Sequence, residues 1–273
     1  MIIVKLMGGM GNQMFQYALA KSLSVKYDIP FCMDRNYIDN FDWRNYDLDL
    51  FQIDQNFAQN HIEADTVGEG WGNFGFQERI YNIFDNIPKD RDIYLDGYFQ
   101  HIGYIEQIYG LLTEQFSLKK KIEDSRTLLL LDDIEKSNSV MLNVRRTDFV
   151  NNSYHGTMDV GYYSKAISII SERTEGARYF IFSDDIEWCR QNLGFIENSV
   201  IVDHSHKGDR FGDYLELMKS CKHFIIPNSS FAWWSAYLSQ SDGKIVIAPN
   251  NWILDSSNQS CDIVSEKLNW IKI

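Results

Sequence analysis

The feature that most restricts this chain is an alternation. Through its second half, Ser139–Val144 (SVMLNV), Tyr179–Phe182 (YFIF), Val200–Asp203, His223–Ile226 (HFII) and Lys244–Ala248 read as short strands. Between them, residues 161–174, Ile186–Leu193, Asp209–Cys221 and Phe231–Ser239 read as helices. Apolar strands that do not alternate are buried on both faces, and strands interleaved with helices make a parallel sheet covered by helices. The first half opens the same way. Met1–Met7 reads as a strand, a Gly-rich turn follows, and from Asn12 to Tyr27 the residues Met14, Phe15, Ala18, Leu19 and Leu23 fall near one helical stripe. Residues 30–34 and Ile93–Phe99 read as further strands, and a helix is expected near residues 103–117. From 36 to 75 no usable period appears. The charged stretch Lys119–Ser139 reads as the connection between two halves. The expected domains are 1–125 and 126–273.

Composition narrows the function. The chain has 273 residues, 44% hydrophobic and 23% charged, which suits a globular protein with a substantial core. A net charge of -12 disfavours nucleic acid and electrostatic membrane binding. An anionic ligand can still bind where a few Arg residues gather. Fifteen Tyr and seven Trp fit a sugar site, and they fit cores and interfaces as well. Cys32, Cys189, Cys221 and Cys261 show no C-x-x-C spacing and read as free thiols of a reducing compartment. No signal peptide or membrane span is read, so the expected location is cytoplasmic, and peripheral to the inner membrane at most.

Four turns carry the chemistry. Gly8-Gly9-Met10-Gly11-Asn12-Gln13 joins a strand to a helix. Glycines there permit a sharp turn and close approach of a ligand to the helix start. Met14 stands where a dinucleotide fingerprint needs its third Gly, and no G-K-[ST] follows, so the loop fits either a ligand turn or a plain βα corner. Asn143-Val144-Arg145-Arg146-Thr147-Asp148 ends an apolar strand. Two guanidiniums at the rim of a buried sheet need partners; Asp148 can pair with one, and a diphosphate can pair with the other. Ser183-Asp184-Asp185 can accept from a guanine edge or cap a helix. Asn228-Ser229-Ser230-Phe231 can cradle phosphate at a helix start or, again, cap it.

Metal and nucleophile signals are weak. Asp47-Leu48-Asp49 and Asp90-Arg91-Asp92 spell D-x-D, but a chain this rich in Asp gives such hits by composition, and neither follows a clear strand. His204 and His206 form a lone H-x-H. No metal ligand set is expected.

Taken as a set, GGMGNQMFQYALA from Gly8, GYFQ at 97–100, the Arg-Arg segment, FSDD at 182–185 and NSSFAWWSAYL at 228–238 resemble the bacterial α-1,2-fucosyltransferase family. They occur in the family's order over nearly the whole chain. The resemblance implies a GT-B fold of two Rossmann-like domains facing a central cleft. It implies transfer of L-fucose from GDP-fucose to the 2-hydroxyl of a terminal β-galactoside, with inversion, no metal or other cofactor, in surface polysaccharide synthesis. By it, Arg145 holds the diphosphate while Arg146 and Asp148 shape the loop. Asp184 or Asp185 lies near guanine, and Ser183 belongs to the same donor-binding turn. Asn228, Ser229, Ser230 and Phe231 line the phosphates, and Gly11, Asn12 and Gln13 approach from the first domain. The family's His is Asn143 here, so a shorter amide takes its place. Asp148, His155 and Asp159 are the candidate bases. Three other readings stand beside this one: a GT-B enzyme using another nucleotide sugar, a non-catalytic nucleotide- or glycan-binding protein, and a dehydrogenase built on the first βα unit.

Overall fold

The N-terminal apolar run is a strand, β1 (Ile2–Lys5), and Ile2, Ile3 and Val4 are buried within it. The computed structural model describes residues 1–40, 44–58, 64–68, 87, 90–254 and 263–273. The chain divides into two units, Met1–Lys119 and Lys120–Ile273.

In the first unit, β1 leads through Gly8 and Gly9 into helix α1 (Met10–Tyr27). Then come β2 (Phe31–Asp34), the short helix α2 (Asn36–Asp39), β3 (Asp65–Gly68), β4 (Ile93–Asp96) and helix α3 (Tyr109–Gln115). The sheet has the order β2-β1-β4-β3 and every pairing is parallel. Gly8 has φ +75, and a Cβ on it would lie 2.4 Å from the Asn12 amide, so only glycine fits this turn. The helix expected near 103–117 is shorter. Two 3-10 turns, Ile102–Tyr104 and Glu106–Ile108, precede α3, and the His101 side chain caps the first by accepting from the Gly103 N–H.

The second unit begins with a helix inside the stretch read as a connection. This is α4 (Ser125–Lys136), and the Asp124 carboxylate accepts from the Thr127 N–H at 2.9 Å to start it. The helix was concealed because its apolar residues do not mark its buried face: only Thr127 and Ile134 are fully buried, while Leu128 and Leu129 are exposed. The helix packs on the second sheet, which explains why the division falls six residues before the expected 125/126 boundary. After it come β5 (Asn138–Val144), α5 (Val160–Ser171), β6 (Ala177–Ser183), α6 (Ile186–Asn192), β7 (Ser199–Val202), α7 (Gly212–Lys219), β8 (His223–Ile225), α8 (Ser230–Leu238), β9 (Val246–Ala248) and β10 (Ile271–Lys272). The sheet order is β10-β9-β8-β5-β6-β7, parallel throughout. Val140, Leu142, Val144, Tyr163, Ile170, Ile181 and Ile225 form the centre of its core.

The helix expected from Asp209 is broken. Arg210 (φ 45) and Phe211 (φ 68) lie in the left-handed region, and α7 starts only at Gly212. Two side-chain-bearing residues in that region cost about 1–2 kcal/mol each.

Among the described residues, no helix is long and apolar enough to cross a membrane. Cys32, Cys189 and Cys221 are buried free thiols, and burial pushes the Cys189 thiol up to about 11; Cys261 lies outside the described residues.

Candidate active site

The second sheet has one switch point. The chain runs β5 to β6 to β7 in one direction and then returns to β8 on the other side of β5. Turns leaving the carboxyl ends of β5 and β8 therefore diverge, and ligands of open parallel sheets bind in the crevice that this opens. The turn after β5 carries Arg145 and Arg146. The turn after β8 carries Asn228, Ser229 and Ser230. The turn after β6, the next strand along, carries Asp184 and Asp185.

The arginines are held by a connected set of carboxylates. Arg145 Nη2 meets Asp148 Oδ1 at 2.6 Å, and its Nη1 meets Asp184 Oδ2 at 3.1 Å. Asp184 also accepts from the Arg146 N–H at 2.9 Å and from the Thr147 hydroxyl at 2.6 Å. Arg146 Nε donates to Asp185 Oδ2 at 3.3 Å, and its guanidinium lies 4.4 Å from the Trp188 ring centre. Asp185 caps α6 through the Trp188 N–H and takes its own N–H to Ser183 Oγ. Each carboxylate oxygen of Asp184 and Asp185 thus has a protein donor. Both acids, either of which was expected near guanine, serve to fix the Arg pair.

Asn143 is buried, and its amide donates to the Phe182 carbonyl at 3.1 Å, tying β5 to β6. The shorter residue at the family's His position is therefore spent on the sheet. Asn228 is 2% exposed, and its amide donates to the carbonyls of His155 (2.8 Å) and Trp252 (3.2 Å). Its Oδ1 is buried without a protein partner. Ser229 caps α8, accepting from the Ala232 N–H at 3.4 Å. Ser230 and Phe231 form the first turn of that helix.

The three candidate bases differ. Asp148 is paired with Arg145, and Asp159 caps α5 by accepting from the Tyr162 N–H. His155 stacks on Phe149, with ring centres 4.4 Å apart and planes 4° apart. Burial holds its imidazole below the usual histidine range, aided by Arg145 and opposed by Asp148. At neutral pH it is uncharged and able to take a proton.

The first unit uses its expected residues differently. Gln13 is fully buried. Its amide donates to the carbonyls of Gly8 (2.9 Å) and Asn45 (2.7 Å), and its Oε1 accepts from the Asp47 N–H. Gln13 is thus committed to holding the Gly-rich loop. Gly11 is buried in the first turn of α1, and Asn12 Oδ1 accepts from Gln100 at 2.7 Å. Of the D-x-D acids, Asp92 pairs with the N-terminal amine and Asp90 with Arg91. Among the described residues, no three His, Cys, Asp or Glu side chains converge to hold a metal ion.

The family model of glycosyl transferase family 11 matches residues 1–273. The chain belongs to glycosyl transferase family 11. This glycosyltransferase is 30% identical to an alpha-1,2-colitosyltransferase of Escherichia coli, over all of this chain and 98% of the relative. It is 26% identical to the O-antigen biosynthesis glycosyltransferase WbnK of Escherichia coli, over 98% and 99%. The crystal structure of fucosyltransferase NodZ from Bradyrhizobium superposes with a TM-score of 0.57 at 13% identity, covering 86% of this chain and 92% of that one. That likeness, spanning both parallel sheets, places the glycosyltransferase in the two-Rossmann-domain GT-B fold class.

Sequence reasoning missed several residues of the network. Thr147 and Trp188 brace Asp184 and Arg146, and His204 meets the Ser183 carbonyl at 2.8 Å. Tyr162 donates to the Ile226 carbonyl at the end of β8. Thr147 stood in the Arg-Arg segment and His204 in the H-x-H without these roles, and Trp188 lies three residues beyond a capping Asp. Thr147, His204 and Tyr162 reach their partners across the sheet.

Proposed function

We propose that this glycosyltransferase moves L-fucose from GDP-fucose to the 2-hydroxyl of a terminal β-galactoside, with inversion and without a metal, in surface polysaccharide synthesis. The observation that carries the reading is Arg145, clamped by Asp148 and Asp184 at the switch-point edge of the second sheet. Relatives support the donor, the linkage and the biosynthetic setting. NodZ was crystallised with GDP and soaked with GDP-fucose, the colitosyltransferase name gives an α-1,2 linkage, and WbnK is named for O-antigen biosynthesis. A cytoplasmic location, peripheral to the membrane at most, is part of the same proposal.

In the transfer, the bond from the anomeric carbon to the β-phosphate oxygen breaks, and its electron pair stays on the phosphate. The acceptor's 2-oxygen bonds to the opposite face of the anomeric carbon and loses its proton. Sugar charge develops as in an oxocarbenium ion, while GDP gains negative charge. Arg145, already aimed by its carboxylates, and the positive end of α8 neutralise that gain without reorganising. The proton goes to His155, the candidate base that no carboxylate or cap commits. Bond breaking runs ahead of attack, so the demand on a base is small.

The test is product formation from GDP-fucose and lactose in EDTA. A 2-fucosylated product formed at an undiminished rate supports the reading; dependence on divalent metal, or no transfer over a β-galactoside panel, overturns it. The colitosyltransferase relative favours one variant of the reading, a donor whose sugar lacks the 3-hydroxyl of fucose. Competition between GDP-fucose and GDP-colitose in the same assay decides the sugar.

A further inference from the structure

The donor reading leaves the nucleobase without a partner, since Asp184 and Asp185 are occupied by the arginine network. The structure offers another place for it. After β7, the segment Gly208–Phe211 turns through three left-handed residues, Gly208 (φ 63), Arg210 (φ 45) and Phe211 (φ 68). Gly208 is forced, because a Cβ there would fall 2.2 Å from the Asp213 carboxyl carbon. Arg210 and Phe211 have no such excuse. Strain of this kind persists only where the surroundings over-determine it, and it clusters at functional sites; Phe211 meanwhile stays 37% exposed.

The strained turn holds that ring in a fixed frame. His204 meets it edge-on at 5.6 Å, and Tyr214 at 5.6 Å. His204 Nε2 is bonded to the carbonyl of Ser183, the residue before Asp184. The Tyr214 hydroxyl is bonded to the Val202 carbonyl at the end of β7. The ring therefore belongs to the same carboxyl edge as the Arg pair. Strand β7 lies two places from β5, and neighbouring strands are about 4.8 Å apart, so the two turns are separated by roughly 10 Å. That separation suits the reach from a nucleotide's diphosphate to its base. Lys207 Nζ lies 5.5 Å from the ring centre and adds positive charge beside it.

We propose that Phe211 is the platform on which the base of the nucleotide donor stacks, its ring fixed by His204 and Tyr214. This rests on the reading of Arg145 as the diphosphate anchor. Stacking on an aromatic face tolerates any base but favours the larger purine surface, so it contributes affinity and a purine preference.

Calorimetric titration of the full chain with GDP and with UDP tests it. Phe211→Ala is expected to weaken GDP about tenfold and UDP by less, with Phe211→Tyr staying close to the parent. Thermal melting of each variant checks that the fold is kept. Unchanged GDP affinity in Phe211→Ala overturns the proposal. So does an equal loss for GDP and UDP, which would mark Phe211 as a brace for the phosphate turn. If neither nucleotide binds the parent protein, the donor reading itself fails and the platform falls with it.

Discussion

Asp184 receives both the guanidinium of Arg145 and the backbone N–H of Arg146. One carboxylate on the turn after β6 thereby fixes the course of the turn after β5. The pair is only partly exposed, 28% for Arg145 and 19% for Asp184, so screening by water is weak. Asp184→Asn keeps the shape and removes the charge. It is expected to cost about 1–2 kcal/mol of stability and to raise the Kd for GDP. Urea melts and GDP titration of the variant measure the two effects.

Arg145→Ala removes the cation proposed to meet the departing diphosphate. Turnover is expected to fall about a hundredfold or more, the usual cost of losing one aimed donor to a developing oxyanion. Arg145→Lys is expected to recover little, since a single ammonium cannot span Asp148 and Asp184 and also reach a phosphate. Initial rates with saturating GDP-fucose check both, and near-normal transfer by the Ala variant would remove Arg145 from its role.

Acid is expected to weaken the second unit through histidine. His223 Nδ1 accepts the Ile245 N–H at 3.1 Å, which requires an unprotonated nitrogen. Burial, and then Lys222, hold its folded-state value below the usual one, and burial does the same to His155. In the unfolded chain both protonate near pH 6.5. Their contribution is therefore full above that pH and is lost as pH falls through the lower folded-state values. Denaturation free energy should fall from pH 7.5 towards 5. His223→Asn, whose Oδ1 replaces the Nδ1 acceptor, should flatten the slope.

Gln13→Ala separates a structural glutamine from one that touches donor. Its removal leaves the Asp47 N–H and the carbonyls of Gly8 and Asn45 without their partner. A loss of about 2–3 kcal/mol is expected in chemical denaturation. GDP affinity of the folded variant is expected to stay within twofold of the parent. A large drop in that affinity would return Gln13 to the donor site.

Much of the fold was legible because a strand buried on both faces must be apolar along its length. Val140–Val144, Tyr179–Phe182 and His223–Ile226 showed this directly, and the polar residues closing each run marked the turns where the site lies. Helix α4 was not legible. Its surface mixes charges with the exposed Leu128 and Leu129, so no apolar face shows in the sequence, and its identity rests on one cap, Asp124, and two buried side chains. The break before α7 was not legible either, because neither Arg210 nor Phe211 announces a left-handed backbone.

From the sequence alone came the α/β class, the Gly8 turn and the gathering of Arg145, Arg146, Asp148, Asp184, Asp185 and Asn228 into loops that follow strands. These are local matters, decided by apolar runs and by residue types that suit turns. Only the tertiary structure decided that β8 returns beside β5, which creates the switch point, and that Asp184 is spent on two arginines. It also decided that Gln13 is sealed inside its loop and that Phe211 is left facing solvent. Such assignments depend on which donor meets which acceptor across strands far apart in the chain, and no local pattern records them.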